Sequence, residues 1–150
     1  MPANLINLHH RHPGCKMEVS FFKRRKILKK TSALELIPVR LMECEPREEG
    51  KVDILLPRFK NRWLVRAMEP LNRKQFIRIK LDAFGSATWL LIDGKRNVAG
   101  ISAHLNEDSR EKLTSAEETL ERVNQFMTML YQQRFITFQQ IQKHDKQLNS

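Results

Sequence analysis

The stretch LDAFGSATWLLIDGKRNVAGI, residues 81–101, decides the fold because it carries the signals of a strand end, a tight turn and two helix starts. Asp82 is a residue type that accepts hydrogen bonds from the first N–H groups of a helix. The apolar positions behind it recur at helical spacing and predict one buried face, formed by Phe84, Ala87, Thr88 and Leu91. A first helix is therefore expected directly after Asp82.

A short turn separates this helix from a second one. Asp93 and Gly94 are residue types that tolerate turn and left-handed backbone geometry. Asn97 can cap a new helix whose apolar residues share a face, namely Val98, Ile101 and Leu105. A third helix, the longest of the chain, is predicted from a capping box of Ser115 and Glu118 and from the apolar stripe of Leu120, Val123, Phe126, Met127 and Leu130.

The periodicity changes to two ahead of these helices. Apolar and basic residues alternate, which predicts a strand with Ile77, Ile79 and Leu81 on a buried face and Arg78 and Lys80 pointing outward. Residues 37–44 and 52–56 predict two further strands, and the polar residues 46–50 favour a hairpin between them. The chain is therefore expected to be α+β and winged helix-turn-helix-like, with an N-terminal three-stranded antiparallel sheet followed by a three-helix bundle.

These residues resemble the PqqD-like family (coenzyme PQQ synthesis protein D-like), the precursor-peptide recognition elements. In that family a strand runs into L-(D/N)-x-x-(G/A)-(S/A)-x-x-(W/L) and then into (D)G-(K/R)-(R/T)-x-V-x-x-I. The residues that match are Leu81, Asp82, Gly85, Ser86, Trp89, Asp93, Gly94, Lys95, Arg96, Val98 and Ile101. The resemblance extends loosely over residues 37–138. It implies a winged-helix domain that binds the leader part of a ribosomally made precursor peptide and presents it to a separate modifying enzyme (maturase), often a radical-SAM protein.

The resemblance also implies where the peptide lies: along the third strand and against the third helix, here residues 75–81 and 117–131. The candidate peptide-binding residues are Gln75, Ile77, Arg78, Lys80, Asn124, Met127 and Tyr131. Arg78 and Lys80 would meet acidic leader residues, and Met127 and Tyr131 would line the groove. An edge strand suits this role because its unpaired N–H and C=O groups can accept an added strand. The simpler interpretation of Ile77, Ile79, Val123 and Phe126 is that they are core residues.

The formal net charge of +10 leaves two alternatives open. Residues 1–34 hold eight Lys or Arg against one Glu, and so do residues 58–80. A winged-helix protein could bind nucleic acid through these segments, although Glu117, Glu118 and Glu121 at the start of the third helix would be repelled by a duplex. The second alternative to peptide binding is a protein–protein adaptor that has lost peptide recognition. An exposed edge strand also permits a homodimer.

Other classes of function find little support in the sequence. It contains no phosphate-binding Gly-rich loop, no G-x-S-x-G and no H-E-x-x-H, so an enzyme is not expected. Cys15 and Cys44 lack the spacing of a zinc or iron–sulfur site, and no metal or cofactor is expected. The sequence has neither a secretory signal nor an apolar run long enough to span a bilayer, so we expect a cytoplasmic protein without a transmembrane segment.

Three parts of the chain are predicted from these patterns. Residues 1–34 form a basic, flexible N-terminal extension, of which residues 1–16 are interpreted as an overextended gene start. Residues 35–138 form the PqqD-like winged-helix domain, and residues 139–150 form a polar C-terminal tail.

Overall fold

The computed structural model describes residues 20–58, 76–108 and 115–148. These residues form an α+β fold with two small antiparallel sheets and several helices. In chain order the elements are α1 (Phe21–Lys30), β1 (Pro38–Arg40), β2 (Glu43–Pro46), β3 (Val52–Pro57), β4 (Phe76–Lys80), α2 (Ala83–Leu91), α3 (Val98–Asp108), α4 (Ala116–Gln132), β5 (Ile136–Phe138) and α5 (Gln139–Leu148). None of the helices in these ranges is both long and apolar enough to cross a membrane.

The larger sheet is antiparallel and has the strand order β2–β3–β4. Within it Cys44 lies opposite Ile54, and Ile54 lies opposite Ile79. A short 3₁₀ turn at Glu48–Gly50 joins β2 to β3. The hairpin expected across residues 46–50 is thus confirmed, and Ile54 is fully buried on the face that joins the core.

The single strand expected over residues 37–44 is divided in two. β1 leaves the larger sheet and pairs antiparallel with β5, so that Val39 lies opposite Thr137. The chain passes between the sheets at Leu41, whose N–H donates to the carbonyl of Phe135 at 2.8 Å. β5 is buried along its whole length and takes up β1 as its partner. The expectation of one continuous strand is therefore wrong, because pairing with a segment about a hundred residues later overrides the local pattern.

The helix starts follow the sequence closely. Asp82 Oδ1 accepts the N–H of Gly85 at 2.7 Å, and Asn97 Oδ1 accepts the N–H of Gly100 at 2.8 Å. Gly94 adopts a φ of 74° in the turn between α2 and α3, a conformation that an L-residue rarely adopts. These caps and this turn confirm the predicted pair of helices and close their polar ends locally.

Helix α4 begins with the predicted capping box. Ser115 Oγ accepts the N–H of Glu118 at 3.1 Å, and Glu118 Oε2 accepts the N–H of Ser115 at 3.0 Å. The helix then buries Val123, Met127 and Leu130 against α3 and the rest of the core. The predicted stripe is confirmed at these three positions.

The buried face of α2 differs from the expected one. Ala87 is exposed, while Thr88 is buried as expected. The core-facing positions are instead Gly85, Ser86, Thr88 and Trp89. Trp89 is fully buried, and because its indole is much the largest side chain of this nine-residue helix, it sets which side faces the core.

Both ends of the described chain form helices. Residues 21–30, expected as part of a flexible extension, form α1, which packs against α5. Residues 139–148, expected as a polar tail, form α5, whose Ile141 is buried in the core. Gln140 accepts the N–H of Ile37 and donates to the carbonyl of Glu35, so polar residues dock this helix. The interpretation of residues 1–16 as an overextended start lies outside the described residues.

Candidate functional site

Strand β4 is an edge strand within the described part of the chain, since it pairs there with β3 alone. The N–H of Leu81 donates to the carbonyl of Val52, which marks Val52 and Leu81 as a hydrogen-bonded pair. Such pairs alternate along an antiparallel ladder, so Ile77 and Ile79 also direct their backbone groups toward β3. Phe76, Arg78 and Lys80 therefore direct their N–H and C=O groups toward the open side. We call this side, residues 76–80, the β4 edge.

The β4 edge carries apolar side chains that are exposed. Phe76 is 42% and Ile77 is 49% exposed. Ile77 lies opposite Leu56 and shares a face with Ile79, which is half-buried against the core. The expectation that Ile77 is a core residue is therefore wrong. An alternating pattern identifies which residues share a face, but it does not show whether another element covers the outer strand.

The two cations expected on this strand differ in their surroundings. The guanidinium Nη2 of Arg78 lies 2.8 Å from Glu45 Oε2, reaching across β3 to the far strand of the sheet. Lys80 is exposed and forms no ion pair with any described residue. The charge of Arg78 is thus already partly balanced, and Lys80 is the cation available to an incoming acidic group.

A side-chain hydrogen bond fixes the C-terminal end of β4. Arg47 Nη2 donates to the carbonyl of Leu81 at 2.7 Å, and Arg47 Nε lies 3.4 Å from Asp53 Oδ1. Asp53 is buried on β3 directly opposite Lys80. Arg47 lies in the turn between β2 and β3, so this turn holds the end of β4 in place.

Helices α2 and α4 meet beside the end of β4. The guanidinium carbon of Arg122 lies 4.2 Å from the ring centroid of Phe84, a cation–π contact. The ring of Phe126 covers Gly85, where a Cβ would come within 3.4 Å of Phe126 Cζ and 3.5 Å of Leu81 Cβ. Phe84 and Phe126 are only half-buried. We call Phe84, Arg122 and Phe126 the helical wall.

The expected peptide contacts on α4 do not lie on the helical wall. Met127 is only 2% exposed and belongs to the core, so the expectation that it lines a groove is wrong. Asn124 and Tyr131 point about 140–180° away from Arg122 and Phe126 at about 100° per residue. The buried stripe of α4 therefore lies between Asn124 and Tyr131 on one side and Arg122 and Phe126 on the other.

The surroundings of Tyr131 and Asn124 agree with this division. The Tyr131 ring packs on Phe138, with 5.1 Å between ring centroids, and lines a cavity beside α1. The carbonyl of Asn124 accepts the hydroxyl of Thr128. Gln75 lies outside the described residues. The helical wall was missed because Phe84 and Phe126 resemble core residues, although the spacing of Arg122 and Phe126 by four residues places them side by side on α4.

The loop between α2 and α3 contains one carboxylate whose titration is clearly shifted. Asp93 Oδ1 accepts the N–H groups of Arg96 and Lys95, at 2.9 and 2.8 Å. These hydrogen bonds, that from Arg96 first, and the nearby Arg96 guanidinium lower the pKa of Asp93 below its ordinary value. Asp93 therefore acts as a charged cap of the turn.

No group of three or more His, Cys, Asp or Glu side chains that could hold a metal ion occurs in the described ranges.

Neither protein-family models nor curated proteins give a match to this sequence. The resemblance to PqqD-like proteins therefore stays a prediction from the sequence, specific over residues 81–101.

Proposed function

We propose that this protein is a non-catalytic peptide-binding domain. It would take up the leader of a ribosomally made precursor peptide as an added strand on the β4 edge and present it to a separate modifying enzyme, such as a radical-SAM protein. The observation that carries the proposal is the open β4 edge, where backbone groups directed outward stand beside exposed Phe76 and Ile77. The class of peptide and of enzyme comes from the family resemblance alone. The proposal places this step in the cytoplasm, where the precursor is synthesised.

The order of elements supports a winged helix-turn-helix body within this proposal. Three antiparallel strands, β2 to β4, precede three consecutive helices, α2 to α4. α2 packs against α3, and α3 packs along α4. The larger sheet would then serve as the wing, and its outer strand β4 would be the peptide-binding element.

The register of β4 predicts what the peptide should look like. Peptide residues opposite Phe76, Arg78 and Lys80 would exchange main-chain hydrogen bonds with them and place their side chains on the same face. Acidic residues are favoured there because Lys80 is unpaired by any described residue. The intervening peptide residues would lie beside Ile77 and Ile79, where apolar side chains can cover exposed surface. We therefore expect a leader segment in which acidic and apolar residues alternate.

The helical wall offers a second set of contacts near the end of β4. A peptide strand running past Lys80 would reach Phe84 and Phe126, whose rings are half-buried. Arg122 already lies on the Phe84 ring, and its guanidinium can donate hydrogen bonds to a carboxylate without losing that contact. These residues replace Met127, Asn124 and Tyr131 as the expected contacts from the helices.

The test is an NMR titration of the isotope-labelled full chain with peptides encoded beside its gene. Saturable shifts of the amides of residues 76–81 and of Arg122 and Phe126 are expected. Peptides N-methylated at alternate residues sharpen the test, because only one of the two alternating sets has its N–H groups directed at β4. Binding should be lost with one set and kept with the other, whereas equal loss with both would argue against strand addition.

Matched substitutions control for non-specific effects. Lys80→Glu should weaken peptide binding, and Lys95→Glu, an equal change of charge at an exposed position in the α2–α3 loop, should not. Ile77→Asp should abolish binding, and Leu90→Asp, at a site of similar exposure on α2, should leave it unchanged. Equal effects within either pair would contradict the proposed site.

The same titration separates the other classes of function. Broadening on addition of arbitrary duplex DNA, with steep salt dependence and no response to peptides, would indicate a nucleic-acid-binding protein. Indifference to both would indicate an adaptor. Sedimentation of the protein alone checks whether a second copy already occupies the β4 edge, since a homodimer through this strand would compete with the peptide.

A further inference from the structure

A second surface lies on the opposite flank of α4 from the helical wall. A cavity of about 420 Å³ is formed between α1 and the C-terminal end of α4. Its charged lining includes Arg25, Lys29 and Arg134, and its apolar lining includes Leu28, Tyr131 and Ile136. We call it the α1–α4 cavity. Because Tyr131 points away from the β4 edge, a ligand here would not occupy the site proposed for the peptide.

The α1–α4 cavity is strongly positive. Among the described residues no carboxylate lines it, and Arg24 contributes a further guanidinium. Helix α1 carries six Lys or Arg and no acidic residue. Arg25, Lys29 and Arg134 form no ion pair with any described residue. Cations gathered around one concave space repel each other, and an anion that enters would relieve this repulsion.

The backbone of Arg134 provides an independent observation. Its φ of 61° lies in the left-handed region, which is unfavourable for a residue with a Cβ. The N–H of Arg134 donates to the carbonyl of Tyr131 and that of Phe135 to the carbonyl of Leu130, the hydrogen-bond pattern in which glycine normally ends a helix. The turn itself therefore favours glycine. An arginine at this position gains nothing for the turn, but it brings a guanidinium to the wall of the cavity.

We propose that the α1–α4 cavity binds a small organic phosphate. The fork of an arginine matches phosphate oxygens bidentately, and a dianion can balance more than one of the lining cations. The volume lies within the range of small-molecule pockets. Leu28 and Tyr131 are half-buried and offer an apolar wall for the organic part of the ligand, which inorganic phosphate would leave uncovered. This site goes beyond the peptide-binding proposal and does not depend on it.

Ligand binding would have a structural consequence at α1. This ten-residue helix has no side-chain cap at its start, and helices of this length are marginal without tertiary contacts. A phosphate held between Arg25 and Lys29 of α1 and Arg134 of the α4 terminus would tie α1 to the body of the domain. We expect ligand to raise the melting temperature and to slow amide exchange in residues 21–30.

The experiment is calorimetric titration of the full chain with AMP, inorganic phosphate and adenosine at one ionic strength. AMP should bind saturably and more tightly than phosphate, and adenosine should not bind. Arg134→Gly removes the cation and suits the turn, so it should fold at least as stably as wild type while weakening AMP binding by about tenfold or more. Arg25→Gln should weaken binding by a similar factor. Lys95→Gln, with the same loss of charge outside the cavity, should leave binding unchanged.

Four results would overturn the proposal. The first is failure of wild type to bind AMP. The second is equal weakening by Lys95→Gln and Arg134→Gly, which would indicate a general charge effect. The third is binding of phosphate but not of AMP, which would exclude an organic ligand. The fourth is tighter binding of hexaglutamate than of AMP, which would assign the cavity to an acidic protein segment instead.

Discussion

The helical segment from α2 to α4 and the preceding strand β4 differ in two properties. These are how many backbone N–H and C=O groups find hydrogen-bond partners in the described chain, and how much apolar side-chain surface is exposed. At the start of each of the three helices, a side chain accepts a hydrogen bond from a backbone N–H of the first turn. These side chains are Asp82, Asn97 and Ser115. β4 instead leaves one row of backbone groups outward and exposes about half of Ile77. The starts of the helices are thus closed by their own side chains, whereas β4 pairs on one side only among the described residues.

Two side-chain hydrogen bonds connect α2 and the end of β4 to the β2–β3 hairpin. Ser86 Oγ on α2 accepts the N–H of Val52 on β3 at 3.0 Å. Arg47 holds the carbonyl of Leu81, where β4 ends and α2 begins. The β2–β3 hairpin is therefore bonded both to α2 and to the end of β4, so loss of the Ser86 contact should also disturb the sheet that carries the edge.

The largest expected effect is at Trp89. This side chain is fully buried, so Trp89→Ala should lower the free energy of unfolding by about 3–5 kcal/mol through lost contacts and a cavity. Leu90→Ala is the matched control, because Leu90 is 51% exposed and should change stability by about 0.5 kcal/mol or less. Urea denaturation followed by circular dichroism measures both. If Trp89→Ala does not fold, Trp89→Phe should give an intermediate loss; equal effects at the two positions would contradict the buried face assigned to α2.

A smaller effect is expected where α2 contacts strand β3. Ser86→Ala removes the buried acceptor of the Val52 N–H and should cost about 1–3 kcal/mol, because the donor is left without a partner. Hydrogen exchange gives a local readout, since the Val52 amide should lose protection relative to its neighbours in β3. An unchanged exchange rate at Val52 would show that the hydroxyl does not tie α2 to the sheet.

The start of α4 allows a test with an internal control. Ser115 makes both halves of a capping box with Glu118, whereas Ser32 precedes a 3₁₀ turn without any side-chain capping bond. Ser115→Ala should destabilise the protein by about 1 kcal/mol, and Ser32→Ala should have almost no effect. Chemical denaturation of the two variants measures the difference. Similar losses would mean that the capping geometry does not contribute to stability.

The open strand should respond differently. Ile77→Ala is expected to lower stability by less than about 1 kcal/mol, because half of the side chain is already in water. Peptide affinity in the titration described above should nevertheless fall, since Ile77 would cover an apolar peptide residue. A large loss of stability with unchanged peptide binding would reverse the comparison and make β4 a structural strand.

The contrast explains how much of the molecule could be read from the sequence. The caps at Asp82, Asn97 and Ser115 act over three residues, so local residue types predict them well. The pairing of β1 with β5 depends on chain segments far apart, which no local pattern reveals. The exposure of Ile77 and the burial of Met127 depend on which elements lie alongside β4 and α4. The α1–α4 cavity requires two segments about a hundred residues apart to meet, and neither its shape nor the left-handed Arg134 is apparent from spacing.

The smallest expected effect concerns the turn that joins α2 to α3. The N–H groups of Arg96 and Lys95 and the Arg96 guanidinium lower the pKa of Asp93 below 3.8 in the folded state. A lowered carboxyl pKa means that the ionised group favours folding above its ordinary pKa, and that this contribution is lost as pH falls through the folded-state value. Asp93→Asn keeps an oxygen acceptor without the charge. Near neutral pH the free energy of unfolding of Asp93→Asn should be lower than that of wild type by a constant amount. This difference should shrink toward zero in acid, as urea denaturation over a pH series will measure. High salt should reduce the part due to the Arg96 ion pair more than the part due to the N–H bonds. A deficit independent of pH would assign the role of Asp93 to the shape of its side chain, and the turn would then depend on charge no more than the open strand does.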